Sequence, residues 1–249
     1  MGRDWKETAK RWQWLVLDVD GVLIDVSESY DRAVELTVEE FASRRGEEYQ
    51  LSRETVQTLR RRGGFGEDFQ LSEALILSLA GAGPPALLEE LPPGAGIEWV
   101  RNKFDERLDR SEIKAVFNSF YLGKGEKTGS GLWQQEEPLV DKETLQRAEN
   151  CFKLGVVTGR DEGEMELAET LLGFHFEHAV TRDRALKPDP EALGLLVGSS
   201  CGVYVGDTLN DQSLVENYNR TVQGGSFDFL LVGEDIEYLC SFLQELVPD

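Results

Sequence analysis

The sequence predicts an α/β protein: a Rossmann-like parallel sheet core with an all-helical domain inserted into it. Three observations carry this expectation. Trp14 to Val19 is a continuous apolar run, of the kind buried on both faces of a parallel sheet. From about residue 138 onward, strand and helix signals alternate, which implies parallel strands with helices on both faces. Between residues 27 and 121 the apolar period is helical and no strand signal interrupts it. The core is therefore expected to comprise residues 1–25 and 138–249, and the helical insert residues 26–137.

After the first strand, Tyr30, Val34, Val38 and Phe41 recur at helical spacing, and Gly46 ends the run. "LSRETVQTLRRRGG" predicts a second helix, stopped by Gly63 and Gly64. "LSEALILSLAG" predicts a third from near Ser72 to Gly81. "GAGPP" and "LPPGAG" are breakers around a short segment. One long amphipathic helix is expected from Ile97 to Tyr121, with Val100, Phe104, Leu108, Val116 and Phe120 near one face. "GKGEKTGSG" (123–131) is a polar, glycine-rich loop. Beyond it come a helix over 141–152, the strand "KLGVVTGR", a helix over 164–172 and the short strand "HAVT". A helix over 190–197 has Asp189 as its N-cap and Pro190 at its first position. "GVYVGD" is a strand followed by a helix near 209–217. "FDFLLVG" and "DIEYLCSFLQEL" close with one more strand–helix pair.

The 249 residues are enough for a core plus an insert, and 40% of them are hydrophobic. No apolar run reaches the roughly eighteen residues that a membrane span needs. The first residues, "MGRDWKETAKRWQW", lack the apolar stretch and cleavage site of a signal peptide. Three cysteines, Cys151, Cys201 and Cys240, fit no zinc spacing and are expected to be buried, reduced thiols in a cytoplasmic protein. A formal net charge of −21 opposes binding to nucleic acid or to an anionic membrane.

The first strand ends in "DVDGVLID", which sets Asp18, Asp20 and Asp25 close together. Ligands of open α/β sheets bind beyond the carboxyl ends of the strands. "VVTGR" brings Thr158 to that edge, "VYVGDTLND" brings Asp207 and Asp211, and the loop "ALKPDPEAL" supplies Lys187. Carboxylates that repel one another become tolerable around a divalent cation, and hard oxygen ligands with room for water and phosphate suit Mg²⁺. An aspartate can also act as a nucleophile toward phosphorus.

These motifs resemble those of the haloacid dehalogenase (HAD) superfamily, in the phosphoglycolate phosphatase-like branch with a helical C1-type cap inserted after the first motif. "DVDGVLID" is similar to the DxDG(V/T) motif, "VVTGR" to the strand ending in Thr or Ser, "LKPDP" to the lysine motif and "GDTLND" to the terminal GDxxxD motif. Four motifs in the family's order make the resemblance specific, and it covers the whole chain. It implies a Mg²⁺-dependent phosphatase that hydrolyses a small phosphorylated metabolite through an aspartyl-phosphate. By resemblance, Asp18 is the nucleophile, and Asp20 protonates the leaving oxygen and then activates water. Thr158 and the Gly159 amide bind phosphoryl oxygens, and Lys187 pairs with Asp18 and phosphate. Asp18, the Asp20 carbonyl and Asp207 hold Mg²⁺, with Asp211 in direct contact or one step removed.

Other features have less distinctive readings. Asp25 orients the departing loop or is a plain turn residue, and Arg160 meets either the phosphate or solvent. His175 and His178 are expected to be structural, and Trp5, Trp12 and Trp14 to pack the N-terminal segment onto the core. In the insert, "RRRGGFGEDF" follows three arginines (60–62) with a glycine-rich turn; it is either a solvated helix end or, as in this family a cap loop can enter the active site and choose the leaving group, a substrate loop that nominates Phe65 and Glu67. Lys124 and Lys127 either reach substrate or belong to a linker. A phosphomutase resembling β-phosphoglucomutase, or a receiver-like phosphorylated switch, uses similar residues. The sequence allows a homodimer.

Overall fold

The computed structural model describes residues 5–62, 64–65, 67–92, 94–123 and 130–247. The chain divides into two compact units, Met1–Asp25 with Glu137–Asp249, and Val26–Glu136. Of the residues singled out above, Gly63, Gly66, Lys124 and Lys127 lie outside the described ones.

The first unit is built on a parallel five-stranded sheet. Its strands are β1 (Trp14–Leu17), β4 (Lys153–Val157), β5 (Ala179–Val180), β6 (Cys201–Gly206) and β7 (Ser226–Leu231), in the order β5-β4-β1-β6-β7. The Rossmann-like α/β class is thereby confirmed. β1 is central, with Leu17 opposite Val156 on one side and Val205 on the other. Its apolar run is explained by burial on both faces. Trp14 and Val16 join a cluster with Leu193, Tyr204, Leu214 and Tyr218 on one face, and Leu15 and Leu17, pointing the other way, are equally buried.

Helices α10 (Pro190–Val197) and α11 (Leu209–Thr221) pack together over the Tyr204 cluster, while α8 (Lys142–Cys151) packs with α12 (Leu239–Leu246). A short α1 (Trp5–Ala9) docks on α12, where Trp5 meets Trp12 and the edge of Phe242. α9 (Glu162–Leu172) completes the unit and starts on a capping box between Asp161 and Glu164. Asp189 caps α10 by accepting a hydrogen bond from the Glu191 amide. The chain leaves and re-enters this unit through two paired short strands, β2 (Ile24–Asp25) and β3 (Glu137–Pro138).

Among its described residues the second unit holds helices and one 3₁₀ turn: α2 (Tyr30–Arg44), α3 (Arg53–Arg62), α4 (Asp68–Ser78), α5 (Pro84–Glu90), α6 (Ile97–Phe104), α7 (Arg110–Tyr121) and the turn Leu132–Gln135. A helical apolar core including Val34, Leu59, Leu75 and Phe117 fills it. Its two ends are tied by Glu136, whose buried carboxylate accepts from Ser29 Oγ at 2.9 Å and Tyr121 Oη at 3.0 Å.

Two expectations about this unit need correction. The helix expected over 97–121 is broken: Asp105 adopts a left-handed conformation (φ 50°) and ends α6, and Asp109 caps α7 by accepting from the Ser111 amide. Aspartate tolerates that conformation and favours caps, so no glycine or proline was needed to mark the break. α4 begins at Asp68 rather than near Ser72. No helix among the described residues is long and apolar enough to cross a membrane.

Candidate active site

β1 ends at Leu17 and hands over at once to Asp18, whose amide continues the sheet by donating to the Val205 carbonyl at 2.9 Å. The side chain is 4% exposed. Its Oδ1 accepts from the Val19 amide at 2.7 Å, and its Oδ2 faces Lys187 Nζ at 2.8 Å. A tight turn follows, in which the Leu23 and Ile24 amides donate to the Val19 carbonyl. Gly21 takes φ 75°, and a Cβ there would stand 2.2 Å from Asp207 Oδ2. The glycine of "DVDG" thus serves both the turn and the approach of the Asp207 carboxylate.

β6 brings in the other acids. Asp207 follows Gly206, and Thr208 caps α11 in a capping box with Asp211. A Cβ at Gly206 would collide with the Asp211 side chain at 2.5 Å, so glycine is what lets that side chain fold back over the strand end. Asp211 is completely buried. Its Oδ2 accepts from Thr208 Oγ1 at 2.5 Å and from the Thr208 amide at 3.1 Å. Its Oδ1 meets Lys187 Nζ at 2.8 Å and Tyr204 Oη at 3.1 Å. Tyr204 Oη also lies 2.9 Å from the Val157 carbonyl, linking β6 to β4.

Asp18, Asp207 and Asp211 each place a carboxylate oxygen within 4.8 Å of the others. Burial pushes Asp18 well above the usual carboxylate range; Lys187 pulls it back, while Asp211, Asp207 and Asp20 push it further up. Burial would lower Lys187, yet Asp18 and Asp211 outweigh that and keep it a firmly held ammonium. One ammonium pairs with two of these three carboxylates. An oxygen-only cluster with surplus negative charge fits a hard divalent cation such as Mg²⁺. Asp211 already receives four polar contacts, so Asp18 and Asp207 are the better placed of the three to hold it.

β4 supplies the opposite wall. The Thr158 amide donates to the Val180 carbonyl at 3.0 Å, and its Oγ1 accepts from the Arg160 amide at 3.1 Å. Gly159 is exposed, with open space where a Cβ would be. Arg160 does not face solvent: its fully buried guanidinium lies 2.7 Å from Asp20 Oδ1. Asp25 is exposed at the end of β2. Among the histidines, His175 is an exposed partner of Glu169 and His178 packs edge-on to Trp14.

In the helical unit, Phe65 is buried in the apolar core, and Glu67 accepts from Arg110 Nη2 at 2.5 and 2.7 Å. Arg60 pairs with Asp31 and Asp68. Sequence reasoning missed Tyr204, read as plain strand apolarity, and Thr208. The latter was detectable, because a threonine three residues before an aspartate at a helix start is a capping-box signature.

The model of the haloacid dehalogenase-like hydrolases matches residues 12–213, which span every strand-end motif just described. A phosphatase of known structure, Tt82 from Thermococcus thioreducens, is 50% identical; the match covers 93% of this chain and 98% of that one, with a TM-score of 0.79. A hydrolase from Pseudomonas syringae, 13% identical with a TM-score of 0.56 over 95% of this chain and all of that one, shares the fold. An imidazoleglycerol-phosphate dehydratase of Phytophthora nicotianae is 28% identical over 211 residues, which are 80% of this chain but only 40% of that longer protein. The chain belongs to the haloacid dehalogenase-like hydrolases.

Proposed function

We propose that the chain is a Mg²⁺-dependent phosphatase that hydrolyses a small phosphorylated metabolite through an aspartyl-phosphate on Asp18. The observation that carries this reading is the strand-end cluster in which a buried Asp18 meets Lys187 at 2.8 Å beside Asp207 and Asp211. The 50% identity to a protein named a phosphatase supports it.

An Asp18 oxygen attacks phosphorus and displaces the leaving oxygen. Asp20 gives that oxygen its proton. Asp20 then takes a proton from the water that attacks the phosphoenzyme, releasing orthophosphate and restoring Asp18. The Thr158 hydroxyl and the Gly159 amide donate to phosphoryl oxygens, and Lys187 balances the charge of Asp18 and the phosphoryl group. Asp211 acts mainly by holding Lys187. Asp18, Asp207 and the Asp20 carbonyl are the groups that would bind Mg²⁺, which supplies further neutralisation of the phosphoryl oxygens. These residues account for the phosphate, so recognition of the remaining molecule is assigned to the helical unit as a cap, with Phe65 and Glu67 the first residues to vary. The three cysteines are not buried as expected, Cys151 being exposed and Cys201 and Cys240 half-buried, and as free thiols they fit a reducing, cytoplasmic setting.

The test is phosphate release from a panel of phosphorylated metabolites with Mg²⁺, together with acid quenching during turnover. Orthophosphate as product and label retained on Asp18 are expected. A phosphoryl group returned to another position of a sugar would instead identify a mutase, and a stable phosphoprotein without turnover would identify a switch.

A further inference from the structure

The motif turn after β4 carries a guanidinium that the mechanism above leaves unused. Arg160 is fixed from both ends: its amide donates to Thr158 Oγ1 at 3.1 Å, and its carbonyl accepts from the Arg182 amide at 3.0 Å. Its side chain is 0% exposed. Nε and Nη2 lie 2.8 and 2.7 Å from the same oxygen of Asp20, a residue 140 positions earlier, and Nη1 reaches the Glu164 carbonyl at 3.3 Å. The Asp20 side chain is still 31% exposed, so part of it faces outward while one oxygen is gripped.

Stripping water from a guanidinium costs several kcal/mol, and a neutral link between the same loops would avoid that cost. Two donors of a planar guanidinium that converge on one oxygen fix the place of that oxygen more tightly than a point ammonium would. Place matters for Asp20, because proton transfer needs its oxygen within about 2.6–3.2 Å of the reacting atom. A misplacement of about 1 Å can cost around 10²-fold in rate.

We propose that Arg160 is a positioning residue: it holds the Asp20 carboxylate where it delivers a proton to the leaving oxygen and later accepts one from water. The proposal rests on the phosphatase reading of the site. It differs from phosphate binding by Arg160, since Nε and Nη2 are both engaged by Asp20, and from a loop tie, since the loss of turnover it predicts depends on Asp20 being present.

The experiment is a double-mutant cycle of R160Q and D20N, with kcat and KM measured on p-nitrophenyl phosphate and on an alkyl phosphate, and with thermal melts of every variant. R160Q is expected to lower kcat on the alkyl phosphate by about 10–100-fold with little change in KM. Added to D20N, it should cost less than about threefold more, because the group it orients is gone. R160K should recover part of the loss. Equal losses in both backgrounds would overturn the proposal in favour of a structural tie, and a raised KM with unchanged kcat would overturn it in favour of phosphate binding. If R160Q does not fold, the same cycle with R160K decides by the same criteria. If D20N is too slow to measure, the crystal structure of R160K decides: a displaced Asp20 carboxylate supports the proposal and an unmoved one overturns it. A wild-type protein that releases phosphate from no monoester sinks the phosphatase reading itself, whereas active wild type with additive losses sinks only the role of Arg160.

Discussion

The two units treat buried acid in opposite ways. In the helical unit, the buried Asp31, Glu35 and Glu73 are each matched by arginines. Glu73 is held by Arg101 through two hydrogen bonds of 2.8 and 2.7 Å, and Glu35 lies between Arg32 and Arg53. Asp31 has Arg60 at 3.0 Å, which opposes the rise that burial imposes on its pKa. At the sheet edge the matching stops. Asp18 and Asp211 share Lys187 with Asp207 close beside them, and burial together with the neighbouring acids holds Asp18 well above the carboxylate range. The helical unit is electrostatically self-sufficient at these positions. The sheet edge is left short of positive charge, which a bound divalent cation would supply. The difference separates acids that hold a fold together from acids kept for chemistry.

The largest effect expected from breaking this contrast is at Asp18. Asp18→Asn keeps the shape, removes the proposed nucleophile and relieves the crowding. Turnover should fall by roughly 10⁴-fold or more, while the melting temperature stays level or rises. Substantial activity in an undeamidated sample would remove Asp18 from the role. In the helical unit the same type of change should act on stability. Glu73→Gln leaves Arg101 only the exposed Glu98 as a charged partner and should cost about 2 kcal/mol in denaturant unfolding. A change under about 0.5 kcal/mol would show that the pair is not a structural one.

Asp207→Ala should leave the fold intact and raise the Mg²⁺ concentration for half-maximal activity by at least about 10–100-fold. An unchanged metal requirement would exclude Asp207 as a ligand.

How far these contrasts could be read beforehand depended on range along the chain. Asp18, Thr158 and Asp207 were legible because each ends an apolar strand, and a strand end in a parallel sheet is a defined place. The pairing of Arg160 with Asp20 was not, because it joins residues 140 positions apart and nothing local to "VVTGR" announces a buried partner. Tyr204 was hidden by its own apolar ring, which fits a buried strand whether or not its hydroxyl has work to do. The break at Asp105 escaped because an aspartate took the left-handed turn usually signalled by glycine.

The smallest predicted effect concerns Glu164. Burial raises its carboxyl to about 7, against the opposing pull of Arg182 and the Asp161 amide. Between its ordinary 4.5 and about 7, the folded protein holds a proton that the unfolded chain has lost. Stability should therefore fall as pH rises through that interval. Glu164→Gln, which preserves the helix cap, should flatten this slope and leave the variant more stable at pH 8 by on the order of 1 kcal/mol. A parallel pH profile of melting temperature in the two proteins would contradict the assignment.

The surplus of carboxylate at the sheet edge is tested most directly by melting the chelated protein against rising Mg²⁺, with Asp207→Ala beside it. A cation bound only by the folded state raises stability with its concentration, by about 2.7 kcal/mol at a hundredfold excess over Kd. The wild-type melting temperature should climb and then rise only logarithmically, and that of Asp207→Ala should stay nearly flat over the same range. A wild-type protein indifferent to Mg²⁺, or a variant that responds equally, would contradict the account.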